Sequence, residues 1–257
     1  MCRLFALRAD APRSVYEPLW AAPRALARQS TAHPDGWGIA HLDSKGMRVL
    51  RQANAAHGSD AFRERARALR SEVVVAHVRK ASVGSNKIVN THPFQHEGWV
   101  FAHNGTIRRF DERRRAVEKR IAPSLRGQLQ GDTDSERCFL FFLTELARET
   151  RGDVLERAGR ALSRVAAYTR QTDPPDVPRP SVANFIATDG DVLIALRFGK
   201  ALHVAAPGTR VLRDGSRVRE LWISSEPTHR NAGWRKLAHG QGLALDKRMR
   251  LHRFQAT

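Results

Sequence analysis

Five features of this 257-residue chain carry residue types able to do chemistry: Cys2, Arg79, His92, the Asn104-Gly105 pair and Asp134. Cys2 follows directly on the initiator methionine. Removal of Met1 leaves a nucleophilic sulfur and a free α-amine on one residue. Such an amine has a reference pKa of about 7.7–8.0, so near neutral pH part of it is unprotonated and able to take a proton. Nucleophile and base then come from a single residue. Each of the five also has an ordinary explanation. Cys2 can simply be a small residue opening a first strand. Arg79 at a strand end suits the surface, and His92 before Pro93 suits a loop. Asn-Gly between strands is a strong hairpin signal. Asp134 sits near a helix N-terminus, where an acid is favoured electrostatically.

The elements that must position these residues are legible in order. Cys2 to Arg8 reads as a first strand, and Ser14 as the cap of a short helix through Tyr16 and Trp20, interrupted at Pro23. HPDGWGIA, His33 to Ala40, is turn chemistry followed by a strand, and MRVLRQA is the next strand. Asp60 to Arg70 forms a basic amphipathic helix with Phe62, Ala66 and Leu69 on one face. Val73 to Ala76 is an unbroken apolar run, as in a strand buried on both faces, and it ends in His77 and Arg79. WVFAHNGTI, Trp99 to Ile107, reads as a strand, an Asn-Gly turn and a returning strand. The basic run Arg108 to Arg120 reads as a solvated helix or loop. Thr133-Asp134-Ser135-Glu136 fits a capping box. The following Cys138 to Leu143 is apolar on all sides, which predicts a deeply buried helix. A second helix is expected from about Asp153 to Tyr168, then a loop with four prolines. VANFIAT, DVLIALRFG, ALHVAA, ELWISS and LALDKRMRLHRF close the chain as strands. Strands first, two core helices, then strands again predict an α+β architecture of stacked sheets flanked by helices. The closing strands have no helices of their own, so residues 1–257 are expected to form a single domain.

Composition narrows the function. The chain is 41% hydrophobic, and no apolar run approaches the ~18 residues of a membrane span. Arg3, Arg8 and Asp10 break up the opening, against a signal peptide. Cys2 and Cys138 are the only cysteines, with no CxxC pair, so neither a disulfide framework nor a zinc site is supported and a reducing cytoplasm is the expected setting. The net charge of +18 would ordinarily suggest nucleic acid. Only seven of the 44 basic residues are lysine, however, and the charge is spread along the whole chain. No nucleic-acid-binding motif accompanies it, so a nucleic-acid partner is not expected.

Taken in order, MCRLFAL, DGWGIA, AHVRKAS, NTHPF, AHNGTI and GDTDSE resemble the successive active-site segments of the class II glutamine amidotransferases, which are N-terminal-nucleophile (Ntn) hydrolases. The late segment WISSEP with Trp234 is similar to the stand-alone branch that includes γ-glutamyl hydrolases of the ergothioneine pathway. The resemblance covers nearly the whole chain. It implies a four-layer αββα Ntn-hydrolase sandwich with two stacked, mainly antiparallel sheets. It further implies that Cys2 attacks the side-chain amide of glutamine or a γ-glutamyl small molecule to give a thioester. Asn104 and the Gly105 N–H would form the oxyanion hole. Arg79 would clamp the substrate α-carboxylate, for which a planar bidentate donor has the right shape. Asp134 would take the α-ammonium, and Ser82 and His92 would line the pocket. No metal or organic cofactor is implied. Lys80 departs from the tryptophan found after the clamp arginine in amino-sugar-forming members. With no synthase domain after residue 257, any ammonia acceptor is expected on a separate chain.

Three rivals stand beside this expectation. One is a dedicated γ-glutamyl hydrolase that never transfers ammonia. Another is a basic nucleic-acid or partner-binding protein with a vestigial pocket. The third is a Cys-His hydrolase with His77 or His92 as base, which needs no free N-terminus.

Overall fold

In the computed structural model, which describes residues 2–207, 219–230 and 232–256, the chain opens with β1 (Arg3–Ser14). A single π-helical turn, Glu17–Ala21, and α1 (Leu26–Gln29) stand where one capped helix was expected; Pro18 and Pro23 hold the stretch to short turns. β2 (Trp37–Asp43), β3 (Gly46–Gln52), α2 (Asp60–Ala68) and β4 (Arg70–Val78) follow as the sequence predicts. β5 (Phe94–His96) is a short strand that the sequence reading leaves in a loop, and it pairs with β6 (Trp99–Thr106).

β6 corrects one expectation. Asn104 and Gly105 make no hairpin turn. They continue the strand and pair with Asn184 and Ala183 of β7 (Val182–Thr188). Tertiary pairing overrides the local turn signal here, because the partner strand arrives from nearly eighty residues away.

Between β6 and β7 lie α3 (Phe110–Glu118), α4 (Pro123–Arg126), α5 (Asp134–Arg148) and α6 (Val154–Gln171). α3 occupies the basic run and is not simply solvated. Phe110, Arg113 and Val117 are buried, and Arg113 pairs with Asp173 at 2.8 Å. α5 is buried from Asp134 through Glu145: Cys138–Leu143 is apolar on all sides, and the polar first turn is buried on partners of its own, such as the Ile107 amide for Asp134, the Gly131 amide for Glu136 and the Gly131 carbonyl for Arg137. Its cap is half of the expected box. Thr133 Oγ1 accepts the Glu136 N–H at 3.2 Å, but the Glu136 carboxylate accepts from the Gln130 and Gly131 amides instead of the Thr133 amide. The remainder is β8 (Leu193–Leu196), β9 (His203–Ala205), β10 (Glu220–Ser224), β11 (Arg235–Lys236), β12 (Gln241–Leu245) and β13 (Leu251–Gln255). The segment written above as LALDKRMRLHRF is thus two paired strands.

Two antiparallel sheets result. One runs β11-β9-β10-β1-β4-β2-β3 and the other β13-β12-β8-β7-β6-β5. Period-two alternation puts Leu4, Ala6, Val73, Val75, Val100 and Ala102 between the sheets. Phe5, Leu7, Val74 and Ala76 pack outward with Leu26 and Phe62 of α1 and α2. Phe101 and Phe185 pack outward on the other side, where Phe101 stacks on Phe139 of α5 at 5.3 Å. Three cores separate four layers, helix, sheet, sheet, helix. Among the described residues no helix is long and apolar enough to cross a membrane.

Candidate active site

The end of β4 and the start of β1 meet because the two strands are antiparallel neighbours, with Arg3 opposite Val78. Cys2 therefore lies against the residues just past β4. Its Sγ is 3.4 Å from the Lys80 amide nitrogen and 3.5 Å from the Lys80 carbonyl oxygen, and the residue is 8% exposed. Burial pushes the thiol pKa up; the Lys80 amide and the Arg79 charge oppose this, while Asp134 reinforces it. Such a thiol is protonated at neutral pH and needs a base to become a nucleophile. Met1, whose removal would supply that base, lies outside the described residues.

Arg79 is 2% exposed, and its guanidinium ties down the loop that follows. It donates to the carbonyls of Val83, Gly84 and Ser85 at 3.0–3.1 Å. The DGW turn holds the same strand end from the other side. The Arg79 amide donates to Gly36 O at 2.7 Å, and Asp35 Oδ2 accepts the Ala81 N–H at 2.8 Å. Asn90 and Asp132 complete the strap, since Asn90 Nδ2 donates to Ser85 O and Asn90 Oδ1 accepts the Asp132 N–H, both at 2.9 Å. Ser82 is exposed and links the loop after β4 to the end of β6 through a 2.8 Å hydrogen bond with Thr106 Oγ1.

On the second sheet, Asn104 faces the interlayer and its Nδ2 donates to Ser225 Oγ at 2.8 Å. Ser225 Oγ also accepts the Leu4 N–H at 3.1 Å, which links Asn104 to the strand that Cys2 begins. Asn104 Oδ1 is buried without a partner. A half-turn of the amide would exchange that unpartnered acceptor for unpartnered donors. The Ser225 hydroxyl then donates to Oδ1, and the amide N–H groups take the unpartnered position. Gly105 is where a side chain is excluded, since a Cβ would lie 1.8 Å from Val182 O and 2.1 Å from His103 Nε2. Gly105→Ala is therefore expected to destabilise the fold by at least about 1–3 kcal/mol, measured by chemical denaturation. An unchanged midpoint would mean that β6 and β7 separate freely here.

Asp134, at the N-terminus of α5, is 3% exposed and its Oδ2 accepts the Ile107 N–H at 2.7 Å. The carboxylate keeps further lone pairs. Among the described residues Arg79 and Asp134 form no ion pair with each other, yet both act electrostatically on Cys2. A buried cation and a buried anion are thus held apart on rigid elements around one thiol.

His92 is 3% exposed and sits deeper, with its ring 4.3 Å from that of His77 and 4.6 Å from that of Phe94. Neither ring nitrogen of His92 has a hydrogen-bond partner among the described residues. Burial lowers His77 to about 3, against an opposing contact with the His103 backbone, and holds His92 well below its ordinary value with the His77 charge next in size; the His103 and Arg79 charges add to both shifts. Neither imidazole bonds to Cys2, and both are poor bases. This argues against the Cys-His arrangement.

The same shifts set a pH dependence. An unfolded histidine binds a proton near pH 6.5 and folded His77 only near pH 3. Between those values the unfolded state binds more protons, so stability is lost as pH falls through that window. The melting temperature is expected to drop from pH 7 to pH 4, and His77→Leu should flatten the slope. An equal slope in His77→Leu would assign the loss to other groups.

Sequence reasoning missed Ser225, Asp35, Asn90 and Asp132. Ser225 lies in the WISSEP segment, whose likeness to the stand-alone branch assigns it no role.

The profile of the glutamine amidotransferases class-II matches residues 1–249. A putative glutamine amidotransferase of Haemophilus influenzae is 28% identical over 93% of this chain and 82% of its own length. A γ-glutamyl-hercynylcysteine sulfoxide hydrolase of Mycolicibacterium smegmatis is 27% identical over 91% of each chain. Among solved structures, a glutamine aminotransferase class-II domain protein from Silicibacter pomeroyi superposes over the full length of both chains with a TM-score of 0.69 at 21% identity. That last likeness concerns the fold, which is the Ntn-hydrolase sandwich.

Proposed function

The chain belongs to the class II glutamine amidotransferases, and we propose that it hydrolyses glutamine or a γ-glutamyl amide through Cys2. The observation that carries this reading is the buried pair Arg79 and Asp134, two opposite charges kept apart around a buried thiol. An amino-acid head group needs one cation for its carboxylate and one anion for its ammonium. The substrate is held by that head group, which leaves its side-chain amide carbon to meet Cys2.

In the proposed sequence the α-amine of Cys2, freed by loss of Met1, takes the thiol proton. Sulfur bonds to the amide carbon, and the carbonyl π-electrons move onto oxygen. Asn104 Nδ2, after the half-turn described above, and the Gly105 amide stabilise that oxyanion. The C–N bond then breaks, the departing amine takes the proton from the α-ammonium, and a γ-glutamyl thioester remains on Cys2. Water attacks the thioester, releases glutamate and restores the thiol. Ser82 and His92 line the pocket in this reading.

Residues 1–257 act as one catalytic domain in the same proposal, and the two free thiols suit the reducing cytoplasm. If ammonia is transferred, a separate synthase chain accepts it. The γ-glutamyl hydrolase relatives favour a second form of the proposal, in which the product amine is simply released. A panel of free glutamine and γ-glutamyl amides and amino acids, with glutamate and ammonia both measured, tests the two. Glutamate with stoichiometric ammonia from glutamine supports an amidotransferase, and turnover confined to a substituted γ-glutamyl compound supports the hydrolase. No glutamate from any member contradicts both.

Head-group recognition has its own kinetic signature. Arg79→Lys and Asp134→Asn disturb contacts made in substrate and transition state alike, so KM is expected to rise about ten- to a hundred-fold, more than kcat falls. Lysine keeps the charge but loses the fork and the three carbonyl contacts that tie down residues 83–85, so a KM defect in Arg79→Lys reports bidentate recognition only where the melting temperature is unchanged. Silent variants would remove both residues from the pocket.

A further inference from the structure

Near β7 and β8, with none of its lining residues among those that surround Cys2, a cavity of about 570 Å³ is lined by Arg108, Arg170, Arg179, Arg197, Lys200 and His239. No carboxylate is among its described lining residues. The acids closest in sequence are engaged elsewhere, Asp111 by Arg114, Glu112 and Asp176 by Arg109, and Asp173 by Arg113. Arg108, Arg170, Arg179 and Lys200 form no ion pair among the described residues. This differs from the α5–α6 surface, where Arg148, Arg160 and Arg164 each pair with Glu145 or Glu149.

The cavity is also built to hold its charges in place. The Arg197 guanidinium donates to the carbonyls of Lys200 at 2.9 Å and Gly199 at 3.2 Å, and to that of Leu237, which fixes a cation in the wall. Arg170 stands 5.7 Å over the Phe198 ring. Arg108 Nε is buried with no partner. The Gly199 amide donates to His239 Nδ1 at 3.2 Å, so the neutral imidazole carries its proton on Nε2 and presents another donor. Burial, then the Arg170 and Arg197 charges, disfavour its imidazolium.

Unneutralised cations gathered in one concavity repel each other, and a bound anion relieves that repulsion. Guanidinium forks and an ammonium point charge both suit tetrahedral phosphate oxygens. The volume is that of a small-ligand pocket. We propose that this cavity binds a small molecule carrying a compact polyphosphate group, at a site separate from the candidate active site. Val182, which pairs with Thr106 at the end of β6, is part of the cavity wall and joins the two sites through neighbouring strands.

The test uses inorganic tripolyphosphate as probe and the full chain at physiological ionic strength, followed by titration calorimetry. The expected result is one site per chain. The double variant Arg170→Ser/Arg179→Ser, and separately Lys200→Ser, should each weaken binding at least tenfold with an unchanged circular dichroism spectrum. Arg63→Ser/Arg67→Ser on α2, across the sandwich, should bind as the parent does. Bound tripolyphosphate should also raise the titration midpoint of His239, read by NMR, because it offsets the two arginines. Equal weakening by the α2 variant, many probe molecules per chain, or a static His239 would overturn the proposal. So would tighter saturation by a single-stranded oligonucleotide than by tripolyphosphate, which would make the face a nucleic-acid surface.

Discussion

Cys2→Ala is expected to lower kcat on the best γ-glutamyl substrate by about 10⁴–10⁶-fold, because it removes the atom that forms the covalent bond. The change deletes only a sulfur from a buried position beside the Lys80 backbone, so folding should survive. Substrate should still bind, since Arg79 and Asp134 are untouched. A dissociation constant within a few-fold of the parent KM, together with lost turnover, assigns Cys2 to chemistry and not to recognition. Substantial turnover in the alanine variant would mean that another nucleophile, or a directly activated water, does the work. Cys2→Ser gives a second reading. It retains a hydroxyl and the α-amine, but an alcohol is far harder to deprotonate than a thiol, so a deep defect is expected there too.

The second large effect belongs to Asn104. Asn104→Ala is expected to lower kcat by about 10²–10³-fold, the usual result of removing one oxyanion donor, and to change substrate affinity little. The donor acts on charge that exists only in the transition state. Ser225→Ala separates this from a structural role. It removes the hydroxyl that orients the Asn104 amide at 2.8 Å and accepts the Leu4 N–H at 3.1 Å. A kcat defect smaller than that of Asn104→Ala, with unchanged KM, marks Ser225 as a positioning residue. A rise in KM alone for Asn104→Ala would place Asn104 in ground-state binding and remove it from the oxyanion hole.

Much of the layered fold is legible because burial on both faces leaves a mark in sequence. Val73 to Ala76 and the apolar run Cys138–Leu143 of α5 have no polar face to offer solvent, so the first must lie between two layers and the second must be enclosed by the sheet and its neighbouring helices. The Asn-Gly pair misleads for the opposite reason. A hairpin signal is local, whereas Gly105 is required by the close approach of Val182 O from β7. The candidate site divides the same way. Cys2, Arg79, Asn104 and Asp134 are recognisable from residue type and motif order. The Arg79 contacts to residues 83–85 run to backbone carbonyls, which any sequence supplies and none announces. Ser225 reaches Asn104 across 121 positions, beyond any local pattern.

The central claim is that a γ-glutamyl group passes through the sulfur of an N-terminal Cys2. The most direct measurement is an acid quench during turnover, followed by intact-mass and peptide analysis. The account predicts a chain that lacks Met1 and is heavier by one γ-glutamyl acyl group, with the adduct on the Cys2 peptide and absent from Cys2→Ala. An adduct at another residue, or full activity in protein that retains Met1 or carries a blocked α-amine, would contradict it.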